Sequence, residues 1–396
     1  MTYGLPYMGS KSKIAEEILA VLPPAHNFVD LCFGGGAVTH CAMLSRKYKH
    51  FIVNDVERYG MDLFCDAIDG KYANETRWVS REEFFALKEI DPYVRICWSF
   101  GNDQRTYLYA REIEEYKHCF HMAVVDGNYA PMLERYGLDF SDLDVMGGDL
   151  KQRRINTKKI MERYLHEGKL EKKGSHYILR SQQVMEGGAD VFPASPLNAR
   201  INAKNRTAQR MQSRGGVARP MAIHEDTVAR KHGLERTDRL KELQTTTFSC
   251  NSAEMNVNLQ RQERLADITQ HAKASDVIER HLGDYQDVAI PDDSVVICDI
   301  PYKDTERYQD NEGNVQTFDH ERYYEWVRNH DRLIFTCEYQ MPDDFVPIWK
   351  RERVSTLCAT NNSLRKIENI FVHRSKLHLY QSPKPSLFGF DELNEM

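Results

Sequence analysis

"NFVDLCFGGGAVTHCAMLSRKYKHFIVND", Asn27 to Asp55, decides the fold. Apolar β-formers run into an acid, Asp30, and three glycines, Gly34 to Gly36, follow. A helical stretch then leads to a second apolar run, "HFIVND", which ends in Asn54 and Asp55. Strand, glycine turn, helix and strand in that order make a β-α-β unit, the building block of a doubly wound α/β sheet. Just upstream, "KSKIAEEILAVLP" spaces Ile14, Ile18, Leu19 and Leu22 at helical intervals, and Pro23-Pro24 ends that helix.

The glycine turn is also a place for chemistry. Glycines let main chain approach a ligand closely, and a helix start offers N–H donors to its polar groups. Alone, such a turn is equally a tight structural connection. Asp55, however, ends the next strand about 20 residues on, where an acid can accept both hydroxyls of a ribose. The pair points to an adenosyl-type cofactor. A Gly-x-x-x-x-Gly-Lys-Ser/Thr sequence is absent, which argues against a triphosphate cradle.

"VVICDIPYKDTERY", Val295 to Tyr308, repeats the strand-then-acid pattern at Asp299. Loops at the carboxyl ends of parallel strands hold ligands in α/β proteins, so this exit is a second candidate site. "DRLIFTCEY", "RVSTLCAT" and "KIENIFVH" supply further strands, with Asn361-Asn362 as a hairpin turn between the last two. The tail beyond Lys376 reads as loop.

Between these two regions the character changes. "LYAREIEEYKHCFHMAVVDG" is helical, and the chain to about residue 275 is polar and lacks strand alternation. Within it, "NTKKIMERYLHEGKLEKKGSHYILR" reads as an amphipathic helix and two short strands, compatible with a winged-helix element. Lys151 to His224 holds sixteen Lys/Arg against five Asp/Glu, a local +11 in a chain of net charge −6, which leaves −17 for the rest. That asymmetry suits a polyanion-binding module on an acidic body. Arg200, Lys204, Arg206, Arg210 and Arg214 are the candidate phosphate contacts.

Other features carry structural readings. The nine cysteines are odd in number and never spaced Cys-x-x-Cys, against both a disulfide framework and a zinc ribbon. His118, Cys119 and His121 lack a second cluster to complete a metal site, so no metal is expected. "CWSFGNDQRTYLY" reads as core packing, and "NLQRQERLADITQHA" as a solvated helix or short coiled pairing. No run of about 18 apolar residues occurs and the first residues lack a signal-peptide apolar region, so a cytoplasmic protein is expected.

Taken in order, these residues resemble the adenine-specific DNA methyltransferases of the Dam type, which use S-adenosyl-L-methionine (SAM). The likeness covers roughly the first 100 and last 110 residues. "PYMGSK" (Pro6 to Lys11) is similar to the family's N-terminal motif; "DLCFGGGAV" resembles its glycine motif, with Leu31 in place of a proline. "IVNDV" matches the ribose-binding acid, "LGDYQDV" (Leu282 to Val288) the motif whose acid touches the cofactor's adenine, and "CDIPY" the catalytic Asp-Pro-Pro-Tyr, with Ile300 in place of the first proline. Glycine motif first and catalytic tetrapeptide last, around an insertion, is the family's alpha arrangement.

The resemblance implies a class I SAM-dependent methyltransferase: an α/β, Rossmann-like, mostly parallel seven-stranded sheet, split by an inserted and largely helical target recognition domain. The expected division is 1–105 and 281–380 for the catalytic domain, 106–280 for the insertion and 381–396 for a tail. Tyr7, Gly9, Lys11, Asp30, Cys32, Phe33, Gly34, Gly36, Asp55, Val56, Asp284 and Tyr285 would hold SAM. Asp299, Ile300, Pro301 and Tyr302 would be catalytic: two acceptors localise the lone pair of adenine N6, and Tyr302 stacks on a base turned out of the duplex. Double-stranded DNA is the expected partner, bound by a monomer or weak dimer. Cytosine-N4 methylation and a catalytically silent SAM-dependent DNA-binding protein are the alternatives. The Pro-Cys dipeptide of a cytosine-C5 enzyme is absent.

Overall fold

The computed structural model describes residues 2–173, 176–179, 249–251, 257–271, 277–303, 318–355 and 364–380. The basic residues Arg200 to Arg214, the Asn361-Asn362 turn and the tail 381–396 lie outside these described residues.

The chain opens with helix α1 (Ala15–Val21), strand β1 (Asn27–Asp30), helix α2 (Ala37–Ser45) and strand β2 (His50–Asp55), the unit expected from the opening motif. Helices α3 (Arg58–Ile68), α4 (Arg81–Leu87) and α5 (Pro92–Cys97) follow. The start of α4 is fixed by a reciprocal capping box between Ser80 and Glu83, and that of α5 by Asp91 with Pro92 in the first turn. Next come α6 (Arg111–Val125), α7 (Ala130–Tyr136), α8 (Asp142–Met146) and α9 (Leu150–His166), then strands β3 (Leu170–Lys173), β4 (His176–Leu179) and β5 (Ser249–Asn251). The last section holds α10 (Val257–His271), β6 (Val277–Leu282), β7 (Ser294–Cys298), α11 (His320–Asn329), β8 (Ile334–Glu338), β9 (Phe345–Ser355) and β10 (Leu364–His373).

Seven strands form one mixed sheet in the order β6-β2-β1-β7-β8-β10-β9, and β3-β4-β5 form a separate small sheet. The pairs β2–β6, β1–β2, β1–β7 and β7–β8 are parallel, whereas β10 runs antiparallel to both β8 and β9. Strand order reverses between β1 and β7. In open α/β sheets the crevice at such a reversal, beyond the carboxyl ends of the strands, is where ligands bind. Pairing of Asp30 with Ile297 brings the end of β1 beside Asp299, although the two acids are far apart in sequence.

Central strands of a parallel sheet are covered on both faces, which is why β1 and β7 read as continuous apolar runs rather than alternating ones. Phe28, Phe51, Val53, Val295 and Ile297 face one layer, with α1, α2, α3 and α5. Val29, Ile52, Val296 and Cys298 face the other, against Tyr323, Tyr324 and Val327 of α11. A third core, including Tyr116, Phe120, Met132, Leu143, Ile160 and Tyr164, belongs to α6 through α9.

The structure corrects four expectations. Helix α10, expected to be solvated, is a buried connector: Leu265 and Ile268 join the sheet-side core, while Leu259 joins the helical core. Its polar residues are buried and partnered, which is why the helix looked solvated: Arg261 donates to the carbonyls of Cys97 (2.8 Å) and Ser99 (2.7 Å), and Gln262 to Tyr93 (2.6 Å). Strand β6 escaped notice because it is an edge strand whose apolar residues, Val277, Ile278 and Leu282, do not alternate, and a boundary at residue 280 would cut it. Strand β9 begins at Phe345, well before "RVSTLCAT". Finally, a 3₁₀ turn at Arg374–Leu379 follows β10, and Tyr380 docks through a hydrogen bond to the Val21 carbonyl (3.0 Å).

Candidate active site

Four acids mark the carboxyl ends of the four neighbouring strands β2, β1, β7 and β8: Asp55, Asp30, Asp299 and Glu338. Between the first two lies the glycine turn. Gly34 donates its N–H to Asp55 Oδ2 (2.7 Å), and Asp55 Oδ1 accepts from the Glu57 N–H (3.0 Å). Each carboxylate oxygen can accept more than one hydrogen bond, so acceptor capacity remains at this strand end. Gly34 and Gly36 have φ of +53° and +66°, which favour glycine. A Cβ on Gly36 would stand 2.3 Å from the Phe33 ring, and one on Gly35 2.5 Å from Tyr7 Cβ. Tyr7 borders the turn, and Val56, just past Asp55, is exposed.

Other expected cofactor residues take part differently. Asp30 is buried and accepts a hydrogen bond from Thr39 Oγ1 (2.7 Å), so its carboxylate anchors α2. Burial, which outweighs that hydrogen bond, pushes the Asp30 carboxyl up to about 7. Phe33 is buried against Phe64, with its N–H donated to the Asn54 carbonyl (2.9 Å). The Cys32 thiol is pushed up by its hydrogen bond with Cys298 and by burial. Asp284 accepts from the Gln286 N–H (3.0 Å) and from Arg322 (2.7 Å), while the Tyr285 ring is buried near Trp326. This loop adjoins β2, since Gly283 donates to the Asp55 carbonyl (3.0 Å).

Across the strand reversal the site is built from charged side chains. Lys11 Nζ stands 2.7 Å from Asp299 and 4.6 Å from the centre of the Tyr302 ring, a cation–π distance. Gly9, at φ +77°, turns the preceding chain, and its carbonyl lies 3.4 Å from Nζ. The Lys11 side chain is 7% exposed and that of Asp299 24%, so the carboxylate is the member of the pair that faces outward. Burial is the largest single influence and works against the Lys11 ammonium, but Asp299, together with smaller contributions from Cys337 and Glu368, raises the lysine above its ordinary value. Burial also raises the Asp299 carboxyl, with Lys11 pulling it back down. Both carboxylate oxygens of Asp299 lie 2.7 Å from Lys11 Nζ, with the hydrogen bond drawn to Oδ2 and Oδ1 buried.

The tetrapeptide is locked from below and from the side. Ile300 is buried in the sheet core with Val29 and Tyr324. The Pro301 carbonyl lies 2.8 Å from His320 Nε2, which occupies it. Tyr302 meets Tyr339 edge-on at 4.4 Å. The sequence reading missed His320 and Glu338. Glu338 carried a legible signal, an acid ending the apolar run "IFTC" as Asp299 ends "VVIC". His320 had none, because it reaches Pro301 only through the fold.

His121 makes a hydrogen bond with Asn258 of α10 (2.9 Å), and His118 stacks on Trp78. Among the described residues no group of three or more His, Cys, Asp or Glu is placed to hold a metal ion, and no helix is long and apolar enough to cross a membrane.

No curated protein matches the chain. Residues 7–128 match the family model of the D12 class N6 adenine-specific DNA methyltransferases, so this part of the chain is similar to enzymes that methylate adenine in DNA.

Proposed function

We propose that the protein is a site-specific DNA N6-adenine methyltransferase acting on an adenine turned out of duplex DNA, with SAM as methyl donor. The observation that carries the reading is the Lys11–Asp299 pair, 2.7 Å apart beside Tyr302 at the strand reversal, with Asp299 turned outward. SAM fits the opposite side of the same reversal. The Gly34–Gly36 turn packs closely against Tyr7 and Phe33, which fixes its shape, and Asp55 offers acceptors for ribose hydroxyls. Four acids against one buried lysine also make the strand ends a favourable environment for a cation. When bound, SAM supplies an electrophilic methyl group.

The chain's own residues do the rest. Adenine N6 is a weak nucleophile because its lone pair is delocalised into the ring. The Asp299 carboxylate, whose side chain is 24% exposed, accepts one N6 hydrogen. With the Pro301 carbonyl taken by His320, the Ile300 carbonyl is the acceptor for the other. Two fixed acceptors localise the lone pair on nitrogen, and fixed dipoles need no reorganisation during reaction. Lys11 favours the ionised form of Asp299 against the effect of burial and orients it. Tyr302, steadied by Tyr339 and Lys11, offers its ring to the extruded base. DNA affinity and site choice are assigned to the insertion, with Arg200, Lys204, Arg206, Arg210 and Arg214 on phosphates.

Incubation with duplex DNA and isotopically labelled SAM, followed by nucleoside mass analysis, tests this. Labelled N6-methyladenine is expected. Labelled N4-methylcytosine would overturn the base assignment, and unlabelled DNA despite SAM and DNA binding would overturn the catalytic one.

A further inference from the structure

Glu338 has no role in the mechanism above, yet its carboxylate sits beneath the catalytic tetrapeptide and is 1% exposed. Oε2 accepts the N–H of Lys303 (3.0 Å), the residue directly after Tyr302, and Oε1 accepts the N–H of Tyr339 (2.6 Å), whose ring abuts Tyr302. His320 joins the two strand ends, with Nε2 2.8 Å from the Pro301 carbonyl and 3.8 Å from Glu338 Oε2. A buried carboxylate is costly unless its oxygens are satisfied, and here the donors are main-chain N–H groups of the catalytic loop and of β8's exit. A packing role alone would be met by an apolar side chain such as those that fill the rest of β8.

We propose that Glu338 is a positioning residue for methyl transfer: it clamps the chain leaving Asp299–Tyr302 to the end of β8, so that Asp299 and Tyr302 keep their spacing when a base enters. The inference rests on the Asp299 mechanism proposed above. Burial pushes the Glu338 carboxyl up to about 7, a sign that the fold tolerates this group at a cost.

Glu338→Gln is nearly isosteric but replaces one acceptor oxygen with an NH₂ that cannot accept. The single-turnover rate should fall about tenfold, as for loss of one hydrogen bond to an ionised acceptor, while SAM and DNA affinities stay within about twofold. Lys303→Pro removes the same bond from the donor side and should react about tenfold more slowly than Lys303→Ala, which retains the N–H. Combining Glu338→Gln with Lys303→Pro should cost no more than either alone. Should Glu338→Gln fail to fold, the Lys303 pair decides. A wild-type rate in Glu338→Gln, equal rates in the Lys303 pair, or SAM and DNA affinities falling in step with the rate would overturn the proposal. Asp299→Ala is measured alongside: if it is inactive while Glu338→Gln is normal, this inference alone fails, and if it is fully active the mechanism beneath it fails.

Discussion

The two sides of the strand reversal are built from different materials. The β1–β2 side is main chain: glycines at positive φ, an N–H on Asp55, and neighbours so close that a Cβ on Gly35, Gly36 or Gly60 would stand within 2.5 Å of them. The β7–β8 side is side chain: Lys11, Asp299, Tyr302, His320 and Glu338, gathered from four distant segments. The first holds a shape, and the second holds a charge distribution. Damage to the first should therefore appear as lost binding, and damage to the second as lost rate with binding retained.

Gly36→Val probes the shape most severely. The new side chain meets the Phe33 ring at a positive φ, so the turn must shift. SAM affinity should fall roughly hundredfold by calorimetry. Undiminished SAM binding would break the comparison on this side. Asp55→Ala removes acceptors without disturbing the core and should weaken SAM by about tenfold; an unchanged dissociation constant would mean that the ribose lies elsewhere.

Ile300→Pro sharpens the other side. If Ile300 contributes only its carbonyl, the variant should transfer methyl within about twofold of wild type, since proline retains the carbonyl. A large loss would mean that packing of Ile300 against Val29 and Tyr324 sets the position of Asp299.

The smallest effect concerns pH and stability. Burial raises the Asp30 and Glu338 carboxyls to about 7 in the folded protein. The folded state then binds protons more tightly than the unfolded chain, so these groups take stability away as pH rises from the ordinary carboxylate range through about 7. Without SAM, Tm should be lower at pH 8 than at pH 6. Glu338→Gln should narrow that gap, and an unaltered gap would contradict the assignment.

The same contrast explains what could be read from sequence. Glycine turns, apolar runs and terminal acids are local patterns, so β1, α2, β2 and β7 were legible, as was the Asp299 exit. Strand β6 was not, since an edge strand such as "VIERHL" buries too little to show alternation. Helix α10 was misread because, beside Leu259, Leu265 and Ile268, many of its contacts to the rest of the fold are made by Arg261, Asn258 and Gln262, residue types that normally mark a solvated face. At the site, the Lys11–Asp299 pair is separated by 288 residues, and no local pattern could supply its geometry. The acid at the end of β8 shows that the strand-then-acid rule reached further than it was applied.

The central claim is that Asp299 activates the target amine rather than merely lining the site. Single-turnover methyl transfer by Asp299→Ala, measured beside equilibrium titrations of SAM and DNA, tests it most directly. The account predicts a rate at least about a thousandfold below wild type with both affinities within several-fold of it, as when an interaction formed mainly in the transition state is removed. Transfer at the wild-type rate would contradict it.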